Sequence, residues 1–209
     1  MTCVAADVPV AVAVGRRAPR PPDLRARGPV SDPARRVAGM TSEQDQGAAT
    51  EGERRAAQAL ADAGIAHEIV RHGPVRSLAE AAAARGIDPS GIVKTLVVRR
   101  GDDDYLFVLV PGDRTISWPK LRALLGVTRM SMPDAATAKE VTGYERGTIT
   151  PFRSLRAWPV VADERVPGRP ASIGGGGHGV GARVDGDDLV RVLGATVADV
   201  TEPMPEGAA

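Results

Sequence analysis

Cysteine is all but missing from this chain, and aromatic rings are scarce. Cys3 is the only cysteine in 209 residues, which excludes a disulfide framework and a cysteine-held zinc site. Aromatic residues make up 3% of the chain. Its histidines, His67, His72 and His178, contain no pair at helical i, i+4 spacing, so a His-rich metal centre has no basis. No apolar run approaches the ~20 residues that a membrane helix needs. Lysine is rare too: Lys94, Lys120 and Lys139 stand against arginine everywhere else. The length suits one ordinary domain with an appendage. A domain of ~150 residues buries ~70% of its unfolded surface and folds without staples. These features read as a soluble, reduced, cytoplasmic protein with no membrane contact.

The net charge of +1 hides an asymmetry. Residues 1–39 carry seven arginines and three aspartates, and the remainder carries 20 basic and 23 acidic residues. A slightly acidic body does not hold nucleic acid by bulk charge, so any such contact must be a local patch. The first 39 residues also hold six of the 17 prolines and lack any helical or strand period. Residues 1–47 are therefore expected to be a disordered Arg/Pro-rich extension. Met40, followed by Thr-Ser-Glu-Gln-Asp, reads as the true start of translation; the alternative is a basic tail that helps hold RNA. Residues 48–203 are expected to form the folded domain, and 204–209 a flexible tail.

Periodicity and punctuation give the elements. An alanine-rich helix from Glu53 ends at Gly64, and Ile65–Val70 alternates as a strand. Ser77 and Glu80 form a capping box that opens a helix stopping at Gly86. Ile92–Arg99 and Tyr105–Val110 flank Gly-Asp-Asp-Asp and read as a hairpin. Ser117 caps a helix closed by Gly126, Val127–Met132 reads as a strand, and Ala135–Thr142 as a helix closed by Gly143. Pro159–Ala162, Ala171–Ile173 and Val180–Val184 are strands. Asp185 caps a helix closed by Gly194, and Thr196–Val200 is the last strand. Strict βαβ alternation is absent, so a mixed, largely antiparallel α+β sheet is expected.

Three features carry candidate chemistry. Gly174, Gly176 and Gly179 satisfy G-x-G-x-x-G, but a strand rather than a helix follows, so the dinucleotide reading fails. The glycines form either a slack hairpin tip or a place where a ligand nears the backbone, and His178 beside them favours the ligand. Lys94 sits in an otherwise apolar strand. By simple alternation it lies on a wet face; alternatively its compact ammonium serves a phosphate or a developing oxyanion. The Gly143–Phe152 loop reads equally as a helix cap running into a turn or as a pocket wall in which Gly147 exposes backbone N–H groups.

Taken in order, Lys94-Thr-Leu-Val, Gly147-Thr-Ile-Thr-Pro151 and Gly174-Gly-Gly-Gly-His-Gly-Val180 with the following Asp187-Asp-Leu-Val resemble the YbaK/EbsC family, freestanding relatives of the editing domain of prolyl-tRNA synthetase. The similarity runs from about residue 53 to 202. It implies a mixed, barrel-like α+β sheet flanked by helices, and a hydrolase that cleaves the ester between a wrong amino acid and a tRNA without any metal or other cofactor. It implies Lys94 and Gly147 as catalytic positions. Thr148, Ile149, Pro151, Gly174, Gly175, Gly176, His178, Val70 and His72 are implied around the substrate. The implied partners are the tRNA acceptor end and prolyl-tRNA synthetase.

The chain also departs from the family pattern. Val70 stands where members acting on Cys-tRNA often have tyrosine, Arg146-Gly-Thr-Ile-Thr-Pro replaces Gly-Gly-Ile-Ser-Pro, and Gly174 stands in place of serine. The last change is expected to enlarge the pocket. A catalytically silent binding or synthetase-regulating module on the same fold is the alternative function. If tRNA is the substrate, Arg71, Arg76, Arg99, Arg100, Arg146 and Arg153 are expected to form one basic rim.

Overall fold

A computed structural model describes residues 48–205. The expectations for residues 1–47 and for the last four residues of the tail lie outside it. Among the described residues, no helix is long and apolar enough to cross a membrane.

The chain is organised around strand β2 (Val93–Gly101) and its hairpin partner β3 (Asp104–Pro111). β3 is buried over nearly its whole length, as a run of Tyr-Leu-Phe-Val-Leu-Val requires. Its other edge pairs in parallel with β5 (Val160–Asp163), which pairs in parallel with β8 (Thr196–Ala198). A second sheet orders β1 (His67–Arg71), β7 (Val180–Asp185) and β6 (Pro170–Gly174), all antiparallel. A parallel bridge between Ile92 and Ser172 joins the two sheets. A short antiparallel pair, β4 (Arg114–Ile116) with β9 (Thr201–Pro203), lies apart. The helices are α1 (Glu51–Asp62), α2 (Leu78–Ala84), α3 (Trp118–Leu125), α4 (Ala135–Thr142) and α5 (Gly186–Val192). The fold is mixed α+β, as the element order implied.

The period of two along the central hairpin separates two cores. Val93, Val97, Phe107 and Leu109 face one cluster with Leu60, Ile173 and Leu189. Val98, Leu106, Val108 and Val110 face another with Ile116, Leu121 and Val200. Asp163, fully buried, ties the end of β5 to the C-terminal strand. Its Oδ2 accepts from Thr201 Oγ1 at 2.7 Å and from the Val200 N–H at 3.3 Å.

Some local expectations need correction. Val127–Met132 is not a strand; only Ser131 bridges, to Arg99. The strand expected over Thr196–Val200 stops at Ala198, and a further strand, β9, follows in a different sheet, because the chain turns at Asp199 and Val200 to leave β5 for β4. β4 itself escaped notice because three residues carry no period. Ser77 caps α2 as expected, accepting from the Glu80 N–H at 3.1 Å. The reciprocal bond goes to the Arg76 N–H at 2.7 Å rather than to that of Ser77.

Leu109 has no solvent exposure, so Leu109→Ala should cost about 2–5 kcal/mol of unfolding free energy. Leu124→Ala, at a position 41% exposed, should stay within about 0.5 kcal/mol. Urea denaturation of the two variants checks the contrast.

Candidate active site

Among the described residues, the outer edge of β2 is bridged only near its ends. Ile92 bridges to Ser172 at one end, and Arg99 exchanges two backbone bonds with Ser131 at the other, 2.8 and 3.2 Å long. Between these points β6 diverges and the edge faces a cleft of about 510 Å³. The pleat sends alternate residues' N–H and C=O groups to the same edge. Since Arg99 bonds on this edge, the backbone groups of Thr95 and Val97 point into the opening. Thr95 lines the cleft and its Oγ1 is buried without a partner among the described residues. Leaving a buried hydroxyl unpaired costs about 1–3 kcal/mol, a cost that a polar ligand would relieve.

The opposite wall is the segment after α4. Gly143, in the left-handed region at φ +74°, ends that helix. Tyr144 is then buried as a pillar: its hydroxyl donates to the Phe152 carbonyl at 2.7 Å, and the Arg55 guanidinium lies 4.4 Å from its ring centre. Thr148 closes the turn through its N–H and Oγ1, both donating to the Glu145 carbonyl at 2.9 Å. Gly147 takes φ +90° inside that turn, a conformation that glycine alone adopts without strain. Among the described residues the Gly147 N–H has no acceptor. Arg146, Gly147 and Ile149 line the cleft from this wall, and Gly174 lines it from β6.

Lys94 belongs to the same lining, but its ammonium is not free. Alternation turns its side chain toward β4 and β9, where Nζ donates to the carbonyls of Gly112 at 2.9 Å and Arg114 at 2.5 Å, with Met204 Sδ at 3.6 Å. Lys94 is therefore neither on a wet face nor aimed solely at the cleft. Two of its three protons are held by carbonyls, and the third faces a thioether, a weak acceptor. Burial pushes its pKa below the ordinary lysine range, and the Asp113 carboxylate opposes that shift. Arg85, at the end of α2, also lines the cleft and donates to His72 Nε2 at 3.2 Å.

The remaining candidates sit outside the lining. Val70 pairs with Gly181 in the sheet, and His72 stands behind Arg85. Thr148 and Pro151 support the wall. Gly175, Gly176 and His178 belong to the turn beyond β6, where packing explains the glycine run. A Cβ on Gly176 would lie 2.3 Å from the Gly52 carbonyl, and one on Gly177 would lie 2.3 Å from Glu53 Oε1. Gly176 lets α1 approach the turn backbone to backbone, and Gly177 leaves room for the Glu53 side chain. His178 is exposed and meets Glu145 Oε2 at 3.4 Å. Gly174 does not enlarge the pocket either, because a Cβ there would lie 2.6 Å from the Ile149 carbonyl, and the wall occupies that space.

The single basic rim is not found. Of the six arginines expected in it, Arg146 alone lines the cleft. Arg71, Arg99, Arg100 and Arg153 are paired with Glu53, Asp102, Asp104 and Asp62. Sequence reasoning missed Arg85 and the wall from Met132 to Ala138. A basic residue just before the glycine that ends α2 was the available signal for Arg85. Nothing in the sequence signals which helix flanks an open strand edge. Among the described residues no group of His, Cys, Asp and Glu could hold a metal.

Fold and cleft together define a small α+β domain with a partly apolar cleft, richer in cations than in carboxylates, at an open strand edge. The chain belongs to the aminoacyl-tRNA editing domain family, whose model matches residues 72–192, more than half of its length. Similar curated proteins are proline–tRNA ligases. That of Thermosipho melanesiensis is 33% identical over 99 residues, 47% of this chain and 17% of the ligase. That of Caldicellulosiruptor bescii is 35% identical over 78 residues, 37% of this chain and 14% of the ligase. The chain thus spans less than a fifth of the length of these two ligases. Among solved structures, a candidate trans-editing enzyme for prolyl-tRNA synthetase superposes with a TM-score of 0.68 at 27% identity, covering 74% of this chain and 99% of that one. The hypothetical protein APE2540 superposes at 0.65 and 29% identity, covering 71% and 99%.

Gly176→Ala combines φ +82° with the 2.3 Å clash and should cost about 3 kcal/mol. Gly194→Ala, at φ +55° with nothing within 4 Å of its Cβ, should cost about 1 kcal/mol. Denaturant midpoints of the two variants separate close approach from backbone conformation alone.

Proposed function

We propose that this chain is a trans-editing deacylase that hydrolyses the ester joining a small, mismatched amino acid to the 3′ end of a tRNA. The observation that carries the reading is the open edge of β2, which places Lys94, Thr95 and the Gly147 turn around one cleft in a member of an editing-domain family. The cleft volume lies within the range of small-molecule sites, and its lining combines apolar side chains with three cations, Arg85, Lys94 and Arg146, and one carboxylate, Asp134, which is engaged in capping α4.

The reaction needs only positioning and charge stabilisation. Water adds to the ester carbonyl carbon and the carbonyl oxygen becomes an oxyanion. The carbon–oxygen bond to the ribose then breaks, and the proton lost by water goes to the departing ribose oxygen. The products are the free amino acid and a tRNA with its terminal hydroxyl restored. The Gly147 N–H is a donor without a competing acceptor and can take the oxyanion. Lys94 keeps one proton against a thioether, which a phosphate or ester oxygen displaces readily. The carbonyls of Gly112 and Arg114 hold the ammonium in place. Thr95 Oγ1 and the edge backbone are suited to orienting the amino acid. Cysteine on a proline tRNA, or another small side chain, fits this space; prolyl-tRNA synthetase is the proposed supplier of the mischarged tRNA.

The test is release of amino acid from a panel of mischarged tRNAs. Wild-type protein should turn over at least one, and Lys94→Ala should lower kcat/KM by about 10²-fold or more. Turnover of none by the wild type would favour a silent binding module, and full activity in the variant would remove Lys94 from the mechanism. Because burial lowers the Lys94 pKa and the charged ammonium is the active form, activity should fall as pH rises through a value below the ordinary lysine range. A rate–pH profile on the alkaline side reads that limb directly; a profile in which activity persists through the ordinary lysine range would remove Lys94 from the mechanism.

A further inference from the structure

Beyond the Arg99–Ser131 bridge the cleft ends and a second depression of about 460 Å³ begins. We propose that this groove is a phosphate-binding track for the RNA strand whose end occupies the cleft. The proposal rests on the deacylase reading for the identity of the RNA.

Arginines from three separate segments converge there: Arg99 and Arg100 from the β2–β3 hairpin, Arg122 from α3, and Arg129 from the connection that follows α3. Asp102 is the only acidic residue in the lining. Arg99 and Arg100 are paired with Asp102 and Asp104. The guanidinium groups of Arg122 and Arg129 have no carboxylate or other hydrogen-bond partner among the described residues, and Arg129 is exposed. The concentration is notable in a body whose acidic residues outnumber its basic ones beyond position 39. Guanidinium groups suit phosphate because their planar donors match its oxygens.

The groove also continues the cleft along the same two segments. Ile92 and β2 as far as Val97 line the cleft, and β2 from Arg99 onward lines the groove; the segment before α4 lines the groove up to Ser131 and the cleft from Met132. At ~3.3 Å per strand residue, Arg100 lies roughly 17 Å along β2 from Thr95. That span places the groove over the nucleotides leading into an acceptor end, not over the reacting ester. The paired backbone bonds between Arg99 and Ser131 fix the two depressions relative to each other.

The test is binding of uncharged tRNA, which does not depend on turnover, over a range of salt concentrations. Arg122→Gln with Arg129→Gln should raise Kd about tenfold at low salt and reduce the slope of log K against log salt by about 1.5–2. Arg183→Gln with Arg191→Gln removes the same charge outside the groove and should leave Kd within about twofold. Equal weakening by both pairs, or an unchanged Kd and slope in the groove variant, overturns the proposal. That includes the case in which the groove variant loses only a protein partner. If the groove variant weakens tRNA binding selectively while the wild type deacylates nothing, the groove stands and the deacylase reading falls.

Discussion

The proposed site of this domain depends on one strand edge that is bridged near both ends and open in the middle. β2 makes a complete ladder with β3 on one side. On the other, among the described residues, it is bridged only at Arg99 and at Ile92 just before it, and the outward backbone groups between those points look into a cleft. An open edge is normally a liability, because unpaired N–H and C=O groups invite another strand. Here the walls formed by the Gly147 turn and the start of α4 narrow the approach. In the proposed reading a small ligand reaches the edge, and the same unsatisfied groups orient it.

The opening is kept in shape by close backbone approaches. Gly176 lets α1 seat against the late glycine turn, and Gly174 lets the Ile149 carbonyl press against β6. Tyr144 anchors the far wall through Phe152 and Arg55. The charge at the site is similarly restrained: carbonyls of the turn around β4 fix the Lys94 ammonium, and Met204, beside the last strand, completes its surroundings. The short β4–β9 pair therefore supports the one lysine of the central strand, which gives this otherwise peripheral ribbon a part in positioning the site.

The sequence made some of this legible and concealed the rest. The hairpin, the helix ends at Gly64, Gly126 and Gly143, and the failure of the dinucleotide motif could all be read, because periodicity and glycine punctuation are local. Lys94 stood out because the chain so seldom uses lysine. Its true environment could not be read, since the carbonyls that hold it lie 18 and 20 residues away. The glycine run has a packing role that could not be read: Gly176 meets Gly52 at the start of α1, a contact no local pattern records, while Gly174 lines the cleft. The arginines followed the same rule. Side chains that looked like one rim by position are mostly engaged by carboxylates brought near by the fold, whereas Arg85 and Arg122 gained their importance from concavities that only the packed chain creates.

The central claim is that the open edge of β2 and the Gly147 turn hold an aminoacyl group at the end of an RNA. The most direct measurement is an amide chemical-shift titration with a non-hydrolysable 3′-aminoacyl-adenosine analogue. The account predicts that the Thr95, Val97 and Gly147 amides shift together with one saturating affinity, while the exposed turn at Gly168 stays still. Shifts confined to other surfaces, with those three amides unmoved at saturation, would contradict it.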